Sequence, residues 1–112
     1  EAAEHLIQVA RANDFTPFEF FLTDLSGHSQ SYETACETLI MLDKFIDTTT
    51  ALCKATNMLL VITSDHGNIE DMGTKSHTRN PVPLLAVGPQ AEKITTNTSS
   101  LIQVTPRILR LF

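Results

Sequence analysis

Three short stretches of this 112-residue chain hold most of the side chains that could bind a metal ion. They are Asp24-Leu25-Ser26-Gly27-His28, Asp65-His66-Gly67-Asn68 and Ser76-His77-Thr78-Arg79. Carboxylate oxygen together with imidazole nitrogen suits Zn²⁺ or Mn²⁺ better than Ca²⁺. Asp24, His28 and His77 are candidate ligands, as are Asp65 and His66. Gly27 and Gly67 stand beside His28 and His66, where they would let the backbone turn sharply and bring the rings inward. His5, far from these stretches, reads as a surface residue of an N-terminal helix.

The elements around these residues predict how they meet. Ala3, Leu6, Ile7 and Ala10 share one apolar face of a helix over residues 1–13. Phe18-Glu19-Phe20-Phe21-Leu22 reads as a strand ending near Thr23-Asp24, with Ser26 to Ser29 as a loop. A long helix follows from about Ser31 to Ala55, with Cys36, Leu39, Leu42, Ile46, Thr49 and Cys53 along one face and Asn57 as its stop. Met58 to Thr63 is a continuous apolar strand of the kind buried on both faces of a parallel sheet. Residues 66–83 form a polar loop, and Leu84-Leu85-Ala86-Val87 is a third strand. Residues 90–100 are polar and give no clear periodicity. Thr105-Pro106 then marks the N-cap and first residue of a terminal helix reaching Phe112.

This order predicts an α/β fold with a mostly parallel sheet flanked by helices. Strands 18–23 and 58–63, joined by a helix, should run parallel with a right-handed crossover. Asp24 and Asp65 would then sit at the carboxyl edge of the sheet, where open α/β sheets bind ligands.

Composition narrows the function. Net charge is −5, and the eight basic residues form no run, so nucleic acid is not an expected partner. No apolar stretch approaches the roughly 18 residues of a membrane span. The start, Glu1-Ala2-Ala3-Glu4-His5, has neither an initiator Met nor the pattern of a signal peptide, and the chain reads as a single-domain segment of a longer protein. Cys36 and Cys53, seventeen residues apart in one helix, would lie about 25 Å from each other, too far for a disulfide. Unpaired thiols fit a reducing, cytoplasmic setting.

Taken together, the three stretches resemble the C-terminal metal motifs of the alkaline phosphatase-like metalloenzymes. Thr63 to Met72 and His77-Thr78-Arg79-Asn80-Pro81-Val82-Pro83 are closest to the cofactor-independent phosphoglycerate mutase branch, with phosphopentomutase a near relative. The resemblance covers about residues 18–88 and implies an alkaline phosphatase-like fold, incomplete here because the N-terminal strands are absent. It implies two divalent metal ions, Mn or Zn, in the intact enzyme. Asp24, His28 and His77 would share one; Asp65 and His66 would bind the other. The family's remaining ligands, an Asp and a Ser or Thr nucleophile, come from upstream segments that this chain lacks. No catalytic nucleophile is therefore expected among Ser26, Ser29, Ser64 and Ser76, and the chain alone should be inactive. The implied substrate is a phosphorylated small molecule; Arg79, and less so Lys75, could hold phosphate. Glu70 and Asp71 read as solvated acids. Two alternatives stay open: a non-catalytic α/β module, and a segment of a phosphodiesterase or sulfatase of the same superfamily. Missing strands would also leave an exposed sheet edge through which the chain could self-associate.

Overall fold

The computed structural model describes residues 1–112. Helix α1 spans Ala2–Ala10, α2 Leu22–Ser29 and α3 Tyr32–Ala55. Strands β1 (Leu60–Thr63) and β2 (Leu84–Val87) follow, then α4 (Ala91–Thr95), a 3-10 turn over Leu101–Gln103 and α5 (Val104–Leu109).

The helices arise largely where their patterns lie. Ala3 and Ile7 of α1 are buried, and α1 packs on α3. Ser31 caps α3 by accepting the Thr34 amide, and Glu33 faces the positive end of its dipole. Asn57 ends the helix in the left-handed conformation, φ 54°. The Met58 amide returns to the Cys53 carbonyl and the Asn57 amide to that of Lys54, which is a Schellman closure. Because α3 is continuous, Cys36 and Cys53 are both free thiols; burial pushes the Cys53 thiol up.

The face that α3 buries differs from the expected one. Ala35, Thr38, Thr49 and Cys53 are buried, whereas Leu39 is 45% exposed. Helix α2 packs on α3 through small residues, with Ser26 Oγ and Thr38 Oγ1 sharing a buried hydrogen bond of 2.7 Å. A hydroxyl pair satisfied in this way sits where larger apolar residues would hold the helices apart.

The parallel sheet is not found. The sheet has two strands, antiparallel, with Leu60 opposite Val87 and Thr63 opposite Leu84. The expected strand over residues 18–23 is absent. Residues 15–20 take part in no backbone–backbone hydrogen bond, and the chain turns into α2 at Leu22. An aromatic run becomes a strand only where a neighbouring strand supplies a ladder, and none lies beside it here. Phe18 instead rests against Phe45, ring centroids 5.2 Å apart, and Phe15, Phe18 and Phe21 stay more than half exposed. Asp24 and His28 therefore belong to a helix, not to a strand end and a loop.

The C-terminal part is more ordered than its sequence suggested. The polar stretch 90–100 contains α4, whose Ile94 is fully buried. The terminal helix starts at Val104, ahead of Thr105, because Ser100 and Gln103 form a capping box on the preceding turn. Pro106 fits within the first turn, where amide hydrogens have no helical partner. Arg107 ties α5 to α4 by donating to the Lys93 and Asn97 carbonyls at 3.0 and 3.1 Å.

Only 12 of 112 residues are buried. The accessible surface of 7784 Å² exceeds the about 6,100 Å² of a compact monomer of 12.4 kDa. The radius of gyration, 15.0 Å, likewise exceeds the about 13 Å of a closed domain. The molecule is a flat layer, 17 Å thick, with both edges of its hairpin unpaired.

The Asn57 stop can be tested by denaturant unfolding. Asn57→Gly relieves the left-handed strain and should raise the midpoint. Asn57→Val should lower stability by about 1–2 kcal/mol. Equal midpoints for the two variants would contradict the closure.

Candidate metal centre

The site forms where α2 meets the 20-residue connection between β1 and β2. Asp24 and His28 are four residues apart on α2, so they lie on the same helix face. The connection from Ser64 to Pro83 brings His66 and His77 to that face. Asp24 Oδ1 stands 3.4 Å from His28 Nε2 and 3.2 Å from His77 Nε2. The two imidazole nitrogens are 3.2 Å apart.

These edges match a coordination shell. A tetrahedral ion bonded at about 2.0–2.1 Å holds its ligand atoms about 3.3–3.4 Å apart. The three atoms present one carboxylate oxygen and two nitrogens, a donor set that fits Zn²⁺ or Mn²⁺. The protonation pattern also fits. His28 Nδ1 donates to the Lys75 carbonyl at 2.6 Å, so in the neutral ring Nε2 carries the lone pair. The sequence considered Lys75 as a phosphate-binding cation; the structure uses its backbone carbonyl to orient His28.

Asp65 and His66 lie beside this triangle without closing a second one. His66 stacks on His77 with centroids 3.5 Å apart, and its Nε2 is 3.9 Å from Asp24 Oδ1. The Asp65 side chain is 81% exposed and stands 3.5 Å from His66 Nε2. A groove of about 400 Å³ continues from Asp65 and His66 past Arg79 to Thr98 and Ser100. Arg79 opens into it with no side-chain hydrogen bond or ion pair of its own.

Two residues support the site in ways the sequence did not reveal. Asn68 is 5% exposed and donates Nδ2 to Asp24 Oδ1 at 2.6 Å and to the Asp24 carbonyl at 3.2 Å. That donor, opposed by desolvation and then aided by His28, His77 and His66, holds the Asp24 carboxyl below its ordinary value. Asn68 Oδ1 is buried without a partner, a loss of about 1–3 kcal/mol where it occurs. Glu70, expected to be a solvated acid, clamps the connection instead. Its carboxylate accepts from the Thr78 hydroxyl, from the Asn68 backbone N–H at 2.6 Å and from Asn80 Nδ2 at 3.0 Å. Glu70 and the Thr78-to-Gly67 backbone bond of 2.8 Å close the connection on itself.

The glycines serve space, not turn geometry, since neither Gly27 nor Gly67 has a positive φ. A Cβ on Gly27 would lie 2.0 Å from Asn68 Oδ1, and one on Gly67 would lie 2.1 Å from Thr78 Oγ1. The only sequence signal for Asn68 and Glu70 was their position directly after Asp65-His66-Gly67.

The family model of the metalloenzyme superfamily matches residues 1–112. The chain is 33% identical over 113 residues to the 2,3-bisphosphoglycerate-independent phosphoglycerate mutase of Mycoplasmoides gallisepticum, covering 96% of this chain and 22% of that protein. It is 36% identical over 95 residues to the enzyme of the same name from Yersinia pestis, covering 79% of this chain and 18% of that protein. The protein of that name from Mycoplasma genitalium is 32% identical over 102 residues, 86% of this chain and 20% of its own length. The chain thus spans about a fifth of the length of these curated relatives. No solved structure matches it.

The Glu70 clamp predicts an acid-sensitive step. The Thr78 hydroxyl foremost and then, against an opposing desolvation, the Glu70 backbone amide, Asn80 and the Asn68 backbone amide lower its pKa from 4.5 to about 2. The folded chain keeps Glu70 charged where the unfolded chain takes a proton, so this contribution is complete above about pH 4.5 and is lost as pH falls through about 2. Thermal melts between those values should show a shallower pH slope for Glu70→Gln than for the unaltered chain. Parallel slopes would contradict the clamp.

Proposed function

This chain belongs to the metalloenzyme superfamily, and from that premise we propose that it is the metal-binding segment of a phosphoryl-transfer enzyme of the phosphoglycerate mutase kind. The observation that carries the reading is the triangle of Asp24 Oδ1, His28 Nε2 and His77 Nε2, with edges of 3.2–3.4 Å. Those three side chains would hold one divalent ion, Mn or Zn, as a single-domain segment of the catalytic unit. Asp65 and His66 would supply part of a second site. Bound divalent ions lower the pKa of an attacking hydroxyl and stabilise charge on a phosphoryl group.

The chain's own residues act around that chemistry. His28, with Nδ1 tied to the Lys75 carbonyl, keeps Nε2 free to ligate. Asp24 stays ionised and so offers an anionic oxygen at neutral pH. Arg79, free at the mouth of the groove, is placed to pair with a phosphate or carboxylate of a small phosphorylated substrate.

The expectation that none of Ser26, Ser29, Ser64 and Ser76 is the nucleophile is supported at three of the four, whose hydroxyls are engaged within the chain. Ser26 Oγ is bound to Thr38, Ser29 Oγ donates to the Ser26 carbonyl at 2.7 Å, and Ser64 Oγ donates to the His66 carbonyl at 2.8 Å. The phosphoryl-accepting hydroxyl would come from residues outside these 112, and the chain alone would not turn over. No helix is long and apolar enough to cross a membrane, and a cytoplasmic location accompanies the reading. The unpaired edges of the hairpin would favour self-association of the isolated chain.

Equilibrium dialysis with Mn²⁺ or Zn²⁺ tests the reading. The chain should bind one ion tightly. Asp24→Ala and His77→Ala should each abolish that binding, and Asp65→Ala should leave it nearly unchanged. Absence of tight binding in the unaltered chain, or an equal loss in Asp65→Ala, would sink it. Gel filtration should show concentration-dependent association, and a clean monomer at all concentrations would count against the open edge.

A further inference from the structure

Asn68 does not belong to the ligand triangle, yet its side chain is aimed at the triangle's oxygen. It follows His66 by two residues and reaches from the β1–β2 connection onto α2. Both contacts of its Nδ2 are oxygens of Asp24, one carboxylate and one backbone carbonyl. The amide can therefore stand only with its NH₂ toward Asp24; the reverse orientation would set oxygen against two oxygens. Its Oδ1 then occupies the space that a Cβ on Gly27 would need and is left unpartnered. All three of the nearest atoms to a Cβ built on Gly27 belong to the Asn68 side chain, at 2.0, 2.5 and 3.1 Å. The space for this amide exists only because residue 27 is glycine.

We propose that Asn68 is the positioning residue of the metal centre. Its amide fixes the rotamer of Asp24 so that Oδ1 faces His28 and His77, and it sets the register between α2 and the connection that carries His66 and His77. Gly27 is the second half of the device, since any side chain there displaces the amide. This rests on the metal-binding reading of the triangle, and it adds a residue that touches no ion but governs affinity for one.

The test is Co²⁺ titration of the full 112-residue chain, followed by visible absorption and performed well below the melting temperature, with folding checked by circular dichroism. Asn68→Ala and Asn68→Leu should each weaken binding by about 10–100-fold, the usual effect of losing a hydrogen-bonded partner of a ligand. Gly27→Ala should weaken it as much, although no donor atom is removed. The double variant Gly27→Ala/Asn68→Ala should bind no worse than either single one, because without the amide nothing opposes the new Cβ. A residue that serves stability alone would move the melting temperature but not the Co²⁺ dissociation constant or spectrum. Unchanged Co²⁺ affinity in folded Asn68→Ala and Asn68→Leu would overturn the proposal, as would additive losses in the double variant. If the unaltered chain binds no Co²⁺, the metal reading fails, and melting of the metal-free Asn68→Ala, Asp24→Ala and double variants still decides the coupling. Non-additive shifts support the positioning contact, and additive shifts overturn it.

Discussion

A single carboxylate oxygen, Asp24 Oδ1, gathers helix α2 and both ends of the β1–β2 connection at one point. It faces His28 on its own helix, His77 from the far end of the β1–β2 connection and the Asn68 amide from its near end. Helix α2 packs on α3, and beyond the site it reaches the connection through a Gln30 contact with the Met72 carbonyl at 3.3 Å. The site is thus also a structural clasp. An anion placed among imidazoles and an amide donor gives α2 a reason to stay against a polar connection that offers little apolar surface.

That connection would be a poor scaffold if it were merely long. Polar connections of this length rarely hold one conformation without internal ties. Here the ties are local: the Gly67–Thr78 bridge narrows its base, Glu70 gathers three donors, and Thr63 Oγ1 donates to the Pro83 carbonyl at 3.0 Å. The consequence for function is that His66 and His77, eleven residues apart, stack face to face beside Asp24. Side chains held in this way need little rearrangement to ligate, which is how metal sites gain affinity.

The open architecture bears on the same point. A flat layer with a small core and exposed Phe15, Phe18 and Phe21 buries too little apolar surface to behave as a closed domain. The chain covers about a fifth of the length of its curated relatives. The Asp24–His28–His77 triangle is complete within these residues. Asp65 and His66 point into an open groove with only Arg79 as a nearby free cation.

The ligand candidates, the long α3 with its Asn57 stop, and the apolar runs of β1 and β2 were legible in the sequence, because each depends on local spacing or local backbone chemistry. Asp24 and His28 share a face by helical periodicity, although the sequence pattern places Asp24 at a strand end and His28 in a loop. The error lay in residues 18–22, whose aromatic composition favours a strand but whose state depends on a neighbouring strand that is not there. Sheet direction was likewise undecidable from one strand alone, since pairing is a relation between distant segments. Asn68, Glu70 and the true purpose of Gly27 and Gly67 were hidden for the same reason: their roles are contacts across 8 to 44 residues of chain or the exclusion of a Cβ. Residue types and spacing were enough to mark the atoms that could ligate a metal. That Asp24, His28 and His77 meet at 3.2–3.4 Å is a property of the folded chain, because it joins segments 49 residues apart and rests on one buried amide and the space a glycine leaves for it.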